Sequence, residues 1–242
     1  MITAVQQKLK SLSVFFPVYN EEANLPLLLA QAHQVFPRFA KRLEMIIIND
    51  GSTDHSLAVA QRLKAQYPQL KIISHRKNLG YGECLKTGIK ASQLDWIFWT
   101  DADLQFNLED FAAFAQAASK HVAVIGYRIK RAEGLKRRIM VRVFKFAIDL
   151  LFRLHVKDID CAFKLIRADL LKDLHLQSGS AFTTSEILYR LKKKRVKFKE
   201  LPVQHFPRQY GQPTGAKLSV LIKAALDALN TYLNIKFNRD FR

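Results

Sequence analysis

The chain has 242 residues, 49% of them hydrophobic, and its 39 Lys and Arg outnumber 21 Asp and Glu to leave a net charge of +18. That length and apolar content predict a folded chain with a sizeable core, one large α/β domain or two small ones, and exclude a wholly disordered polymer. The charge predicts an anionic partner, whether nucleic acid, an acidic membrane surface or a phosphorylated ligand, without choosing among them. Cys84 and Cys161 have neither C-x-x-C spacing nor a His pairing nearby, so no disulfide framework or zinc site is suggested, and a reducing cytoplasm fits. The first residues lack the features of a signal peptide, and no window reaches the roughly 18 uninterrupted apolar residues of a spanning helix. Any contact with a membrane is expected to be peripheral.

Taken in order, SVFFPVYN (13–20) is a strand halted at Pro17, and NEEANLPLLLAQAHQVF then reads as an acidic first turn and an amphipathic helix. LEMIIIND (43–50) is a continuous apolar strand, broken by GSTD before the helix HSLAVAQRLKAQYP. LKIISHR, the loop KNLGYG and the helix ECLKTGIKAS repeat the pattern. DWIFWTDAD is a fourth strand, LEDFAAFAQAASK its helix and HVAVIGYR a fifth strand. This alternation over residues 13–128 implies a parallel, doubly wound sheet with right-handed crossovers. Beyond residue 128 the chain turns basic and amphipathic, with a short strand-like piece in KDIDCAFKLIRADLLKDL, then helix, basic strand and loop, and a last amphipathic helix over 217–236.

In open α/β sheets ligands bind beyond the carboxyl ends of the strands. The clusters PVYNEE, NDGSTD, HRKNLGYG and TDADLQ all fall at such ends, so four segments converge on one crevice. Asp101 and Asp103 sit where the chain leaves its strand, suited as hard oxygen ligands to a divalent cation on a diphosphate, with Gln105 able to add a carbonyl oxygen. The competing role is that of turn aspartates capping LEDFAAF. Asp50 suits a nucleobase or ribose, or else a turn, with Asp54 capping the helix that follows. NLGYG brings two glycines before a helix but is not G-x-G-x-x-G.

PVYNEE, IINDGSTD, NLGYG and TDADLQ, in that order and spacing, resemble inverting family 2 glycosyltransferases of the GT-A (Rossmann-like) nucleotide-sugar fold. GYR, LKRR, DIDCAFKLIR, TTSEILYRL and RQYGQPTG are similar to the polyprenyl-phosphate sugar synthases of the dolichol-phosphate mannosyltransferase type, over about residues 12–216. The resemblance implies a nucleoside pocket of Pro17, Tyr19, Glu21, Ile48 and Asp50. It implies Asp101, Ala102 and Asp103 at the sugar diphosphate, and Asp101, Asp103 and Gln105 around Mg²⁺ or Mn²⁺. Arg128, Arg137 or Arg138, and Arg208 would gather donor and acceptor phosphates, with Arg128, Asp101 and Asp103 carrying catalysis. Asn49 departs from the aspartate common at that position, and Thr214 stands where some synthases carry lysine.

The implied reaction moves a hexose from a GDP-mannose or UDP-glucose type donor to a dolichyl or undecaprenyl phosphate at the cytoplasmic membrane face, in one displacement with inversion. A lipid phosphate is ionised near neutrality and needs no general base, which matches the lack of a Ser/His/Asp arrangement; His155, His175 and His205 read as structural or surface residues. Residues 1–216 are expected to form one domain, with a nucleotide-sugar half (about 12–128) and an acceptor and membrane-facing half (about 129–216), followed by the amphipathic helix of 217–242. From Leu135 to Leu154 a narrow stripe of Arg138, Arg142, Lys145, Asp149 and Arg153 on an otherwise apolar helix suits the lipid interface or a dimer contact. The last helix suits a membrane or a partner chain, including another copy. A soluble glycan or protein acceptor is the alternative. A nucleic-acid-binding role has only the charge behind it, no recognisable motif, and a carboxylate-lined crevice that repels phosphate.

Overall fold

The apolar runs of the sequence become buried strands in the computed structural model, which describes residues 8–129, 146, 148–211 and 218–237. β1 (Leu9–Val18) pairs in parallel with β2 (Ala40–Asn49) on one side and β4 (Trp96–Trp99) on the other, and β3 (Leu70–Ser74) adds to β2. Nine of the ten residues of β1 are buried, the unalternating pattern of a parallel strand covered on both faces. Between the strands run α1 (Leu25–Val35), α2 (Ser56–Lys64) and α3 (Tyr81–Ala91). α4 (Phe111–Ala117) precedes β5 (Ala123–Arg128).

β5 runs parallel to β4, as the run of strands expected to residue 128 requires, but the two are not neighbours in the sheet. β6 (Lys164–Arg167) inserts between them, antiparallel to both, and β7 (Lys199–Val203) closes the edge parallel to β5. The order is therefore β3-β2-β1-β4-β6-β5-β7. Residues 164–166 are in register with both Trp99–Ile97 and Ile125–Ala123, so the second half of the chain completes the sheet begun by the first.

Successive β1 side chains face opposite layers. Val14, Phe16 and Val18 join α1, α2 and α4 in a core rich in aromatic edges, with Phe98 4.9 Å from Phe111 and 4.7 Å from Phe163 between ring centres. Each such buried Phe contributes about 1.5–3 kcal/mol, and a tilted pair about 1 kcal/mol more. Phe15 faces the other way, stacking on Trp99 beside α3, α5 (Ala168–Lys172) and α6 (Thr183–Lys193).

A third apolar cluster joins Phe152 and Ile148, from the helical residues 148–152, to Phe182, Leu188 and α7 (Leu218–Phe237). Most of the amphipathic stretch expected over 135–154 lies outside the described residues. The expected last helix forms, but it does not dock by a purely apolar face. Asp227 accepts a hydrogen bond from Ser178 Oγ at 2.7 Å, Thr231 is buried, and Ala224 and Ala228 enter the core. Leu226, Leu229 and Leu233 face outward, 56%, 48% and 40% exposed, and Leu150 and Phe146 are exposed as well. Among the described residues no helix is long and apolar enough to cross a membrane.

Candidate active site

The loops at the carboxyl edge of the sheet are first of all tied to one another. Asn20, in a left-handed conformation (φ 57°), donates its backbone N–H to Ser52 Oγ at 3.0 Å and accepts from Thr53 N at 2.8 Å. Glu21 N donates to Ser56 Oγ, Glu22 N to Asp54 Oδ2, and His55 N back to Glu22 Oε2. Asp54 Oδ1 accepts from Ser56 N at 2.9 Å at the start of α2, the capping role expected of it. Much of the polarity in NEE and GSTD thus joins two loops more than 30 residues apart in sequence.

Beyond the ends of β1, β2 and β3 lies a crevice of about 560 Å³ lined by Tyr19, Asn49, Ser52, His75, Arg76 and Lys77, among others. Of the five residues expected around a nucleoside, only Tyr19 lines it. Pro17 and Ile48 are buried strand partners in register with each other. Asp50 lies beneath the crevice with both oxygens engaged. Oδ1 meets His75 Nδ1 at 2.7 Å and accepts from Leu79 N at 2.9 Å, while Oδ2 accepts from Gly80 N at 2.9 Å. Asp50 therefore shapes the 75–80 loop instead of facing the opening. Asn49 lines the crevice, its amide donating to Ser74 Oγ at 2.7 Å. Arg76 and Lys77 lie in the HRKNLGYG segment expected at this crevice, but the sequence does not single them out, because a basic pair after a strand looks like any solvated edge.

Asp101 and Asp103 do not cap the following helix, since Asn107 Oδ1 accepts from Glu109 N and takes that role. Leu104 adopts φ 59°, turning the chain immediately after buried Ala102 and Asp103. Burial and the neighbouring Asp103 push Asp101 up to about 7, against a hydrogen bond from the Tyr81 hydroxyl and the charge of Arg128. The same burial and the carboxylate hold the Tyr81 phenol protonated. Tyr81 opens α3, where Gly82 packs so closely on Thr183 that an added Cβ would lie 2.1 Å from its hydroxyl. The 177–183 loop is in turn held by fully buried Glu186, which accepts from Ser178 N at 2.8 Å and Arg190 Nε at 2.7 Å. The motif TTSEILYRL thereby positions Tyr81, a site residue that sequence reasoning passed over.

Glu21, expected at the nucleoside, instead joins this acidic group. Its carboxylate pairs with Arg208 Nη2 and accepts from Asn24 Nδ2 at 2.5 Å, and burial raises its pKa. Arg208 also reaches Asp103 Oδ2 with Nη1 at 3.4 Å. Gln105 turns its amide nitrogen to Phe206 O at 2.9 Å. Arg128 makes a two-point contact with Asp158, Nε to Oδ2 at 2.7 Å and Nη2 to Oδ1 at 2.9 Å. Burial opposes its charge, but Asp158 more than offsets this and holds the guanidinium protonated. The turn that follows Asp158 is organised by Lys164, whose buried ammonium donates to the carbonyls of Ile159 and Cys161. Arg137 and Arg138 lie outside the described residues. His155 and His175 are exposed, and His205 packs edge-on against Phe106, 5.1 Å between ring centres. Burial pushes the Cys161 thiol up to about 12 and raises Cys84 too, so neither is a nucleophile at neutral pH.

A mostly parallel sheet with a nucleotide-sized crevice at its carboxyl edge, acidic and basic groups gathered beside it, is the GT-A type of nucleotide-sugar-binding fold. The chain belongs to glycosyl transferase family 2, whose sequence pattern matches residues 13–175. It is 28% identical over 208 residues to an undecaprenyl-phosphate 4-deoxy-4-formamido-L-arabinose transferase of Photorhabdus laumondii, covering 85% of this chain and 63% of that protein. A protein of the same description from Edwardsiella ictaluri is 29% identical over 204 residues, covering 83% and 61%. The chain thus spans about three fifths of the length of these relatives. In fold it is similar to glucosyl-3-phosphoglycerate synthase of Mycobacterium tuberculosis, solved with Mn²⁺, UDP and glucosyl-3-phosphoglycerate (TM-score 0.67, 18% identity, 93% of this chain and 79% of that one). It is also similar to a mannosyltransferase of Pyrobaculum calidifontis, solved with GDP-mannose and Mn²⁺ (TM-score 0.60, 17% identity, 90% and 64%).

Proposed function

We propose that the protein transfers a sugar from a nucleoside diphosphate to a polyprenyl phosphate, with inversion, at a membrane surface. The observation that carries this reading is the meeting of Asp103 with Arg208, with Asp101 and Arg128 close by, at the same sheet edge as the crevice beyond β1–β3. The nucleoside would occupy that crevice, against Tyr19, with Arg76 and Lys77 at its mouth. Asp101 and Asp103, with the amide oxygen of Gln105, fit a Mg²⁺ or Mn²⁺ ion: all are hard oxygen donors, and burial together with the neighbouring Asp103 raises Asp101 to about 7. Such an ion supplies charge stabilisation for a departing diphosphate.

The protein's own groups divide the remaining work. Arg208 and Arg128 supply preorganised positive charge for donor and acceptor phosphates, Arg128 held rigid by Asp158. An ionised phosphate oxygen of the lipid attacks the anomeric carbon as its bond to the diphosphate oxygen breaks, and the nucleoside diphosphate leaves with the electron pair. No side chain has to remove a proton from that nucleophile, in keeping with a site that brings no histidine or thiol base to the two aspartates among the described residues. The outward Leu226, Leu229 and Leu233 of α7, with Leu150 and Phe146, would rest at the lipid interface and bring the site to its substrate. The relatives' names support a polyprenyl phosphate acceptor.

The test is transfer of radiolabelled sugar from UDP- and GDP-sugars to undecaprenyl phosphate in detergent, with Mn²⁺. Lipid-extractable label that Asp103→Ala abolishes without lowering Tm is the expected result. Water-soluble product, or full activity in that variant, refutes the proposal. Flotation with anionic vesicles, lost in a triple Leu226, Leu229 and Leu233→Ser variant, tests the membrane face.

A further inference from the structure

Glu21 is separated from Arg208 by 187 positions in sequence, yet the two form an ion pair. Arg208 rides on an arm, residues 204–211, whose base is fastened to the loop that carries Asp103. Gln204 N donates to Asp110 Oδ2 at 2.7 Å, Phe206 N to Gln105 O at 2.7 Å, and Gln105 Nε2 back to Phe206 O. At the tip, Arg208 Nε donates to Tyr210 O at 2.7 Å, and Gly211, at φ 76°, lies flat against the guanidinium, where a Cβ would come within 3.2 Å of Nη2. The Glu21 carboxylate is equally fixed, by Asn24 Nδ2 and by the anchoring of its own backbone on Ser56. Against these restraints the bond from Nη1 to Asp103 is long, at 3.4 Å.

We infer that Arg208 is the resident cation of this site, neutralising Asp103 until a divalent metal takes that carboxylate, and that Glu21 is the positioning residue that keeps Arg208 in place when this happens. The inference rests on the metal and nucleotide reading above. Three carboxylates, Glu21, Asp101 and Asp103, face a common space, and a guanidinium can hold a carboxylate there only as long as nothing of higher charge density competes for it. The asymmetry of its contacts decides which bond yields. Asp103 is surrendered to the metal, while Glu21 and the Tyr210 carbonyl retain the guanidinium and leave Nη1 directed at the phosphates. Glu21 then belongs to the acceptor arm and not to the nucleoside pocket.

Three measurements on the full chain test this: Mn²⁺ affinity without nucleotide, from the free-ion EPR signal; UDP and GDP affinity at saturating Mn²⁺; and KM for undecaprenyl phosphate. Arg208→Ala removes the competing cation and is expected to tighten Mn²⁺ binding about fivefold, the equivalent of one partly exposed ion pair, while transfer falls. Arg208→Lys, which keeps the charge but lacks the second donor, should lie between it and the wild type. Glu21→Gln is expected to leave nucleotide affinity within about twofold and raise KM for the lipid phosphate about tenfold, a loss on the scale of one charged hydrogen bond. Unchanged or weaker Mn²⁺ binding by Arg208→Ala overturns the competition. A Glu21→Gln variant that weakens nucleotide binding and spares the acceptor overturns the positioning role and returns Glu21 to the nucleoside. Failure of the function proposal looks different: the wild-type protein then binds neither nucleotide with Mn²⁺.

Discussion

Replacing Asp101 by asparagine should stabilise the metal-free protein, although the same change removes a carboxylate that the proposed function assigns to the metal. Burial and Asp103 raise the Asp101 carboxyl from 3.8 to about 7. A carboxylate raised in this way is protonated in the folded chain and ionised in the unfolded one throughout that interval. Folding stability therefore falls as pH climbs from about 4 to about 7 and stays at its lower level above. At 1.36 kcal/mol per pKa unit the full shift corresponds to about 4 kcal/mol, and partial exposure with sharing of the proton between Asp101 and Asp103 reduces this to about 2 kcal/mol. The asparagine amide would keep an oxygen for the Tyr81 hydroxyl while carrying no charge. In EDTA at pH 8, D101N should be the more stable protein by about 2 kcal/mol, a Tm about 5 °C higher for a chain of this size. At pH 5 the advantage should shrink to under half, and it should vanish only below about pH 4, where the carboxyl is protonated in the folded and the unfolded chain alike. With Mn²⁺ and the right nucleotide the order should invert, since only the wild type gains the full ligand stabilisation, about 2.7 kcal/mol at a hundredfold excess over Kd. Paired thermal melts in these three conditions decide the matter. A wild type as stable as D101N at pH 8 without metal would refute the electrostatic account of the site.

Asp50→Ala strips three donors, His75 Nδ1 and the N–H groups of Leu79 and Gly80, of their shared acceptor, and should lower stability by about 3 kcal/mol in urea unfolding as well as weakening nucleotide binding. Gly82→Ala drives a methyl into the Thr183 hydroxyl and the backbone of Gly179 and Ser180, and should cost about 1–3 kcal/mol in urea unfolding, a loss that Thr183→Ser, which keeps the hydroxyl, should not recover. Lys164→Met leaves the Ile159 and Cys161 carbonyls without their donor and frees Asp158 to move. Loss of transfer with the nucleotide melting shift preserved is the expected signature. Asp227→Ala releases Ser178 Oγ from α7 and should raise amide exchange within α7 about fivefold, equivalent to one lost hydrogen bond of about 1 kcal/mol, without altering exchange in β1.

What the sequence disclosed and what it withheld divide along the same physical line. Strands such as MIII and IFW announce themselves because a parallel strand is buried on both faces and so reads as a nearly continuous apolar run, and their order follows from the helices between them. β6 was legible as a short strand-like piece, but its place was not: it is four residues long and carries a buried lysine, and its position between β4 and β5 depends on pairing with strands far from it in the chain. The acidic motif at 101–103 stood out because it shares a sheet edge with three other polar loops, against a competing role as turn aspartates that Asp103 partly fills by accepting from Gln105 N. Its companions were harder to assign. Asp50 and Glu21 look equally suited to a ligand in one dimension, and only the fold reveals that Leu79 and Gly80 take up one and Arg208 the other. The last helix makes the point most directly. Its period separates Asp227 and Asn234 from the leucines, but periodicity says only that two faces differ, and the usual assumption turns the apolar one inward. Here Ser178 and Gln177 offer partners to Asp227 and Asn234 at the docking surface. Two small alanines allow close approach there, so part of the polar face is buried and the leucines are left outside. Which face a helix shows to water is decided by the partner it meets, and that partner is fixed elsewhere in the chain.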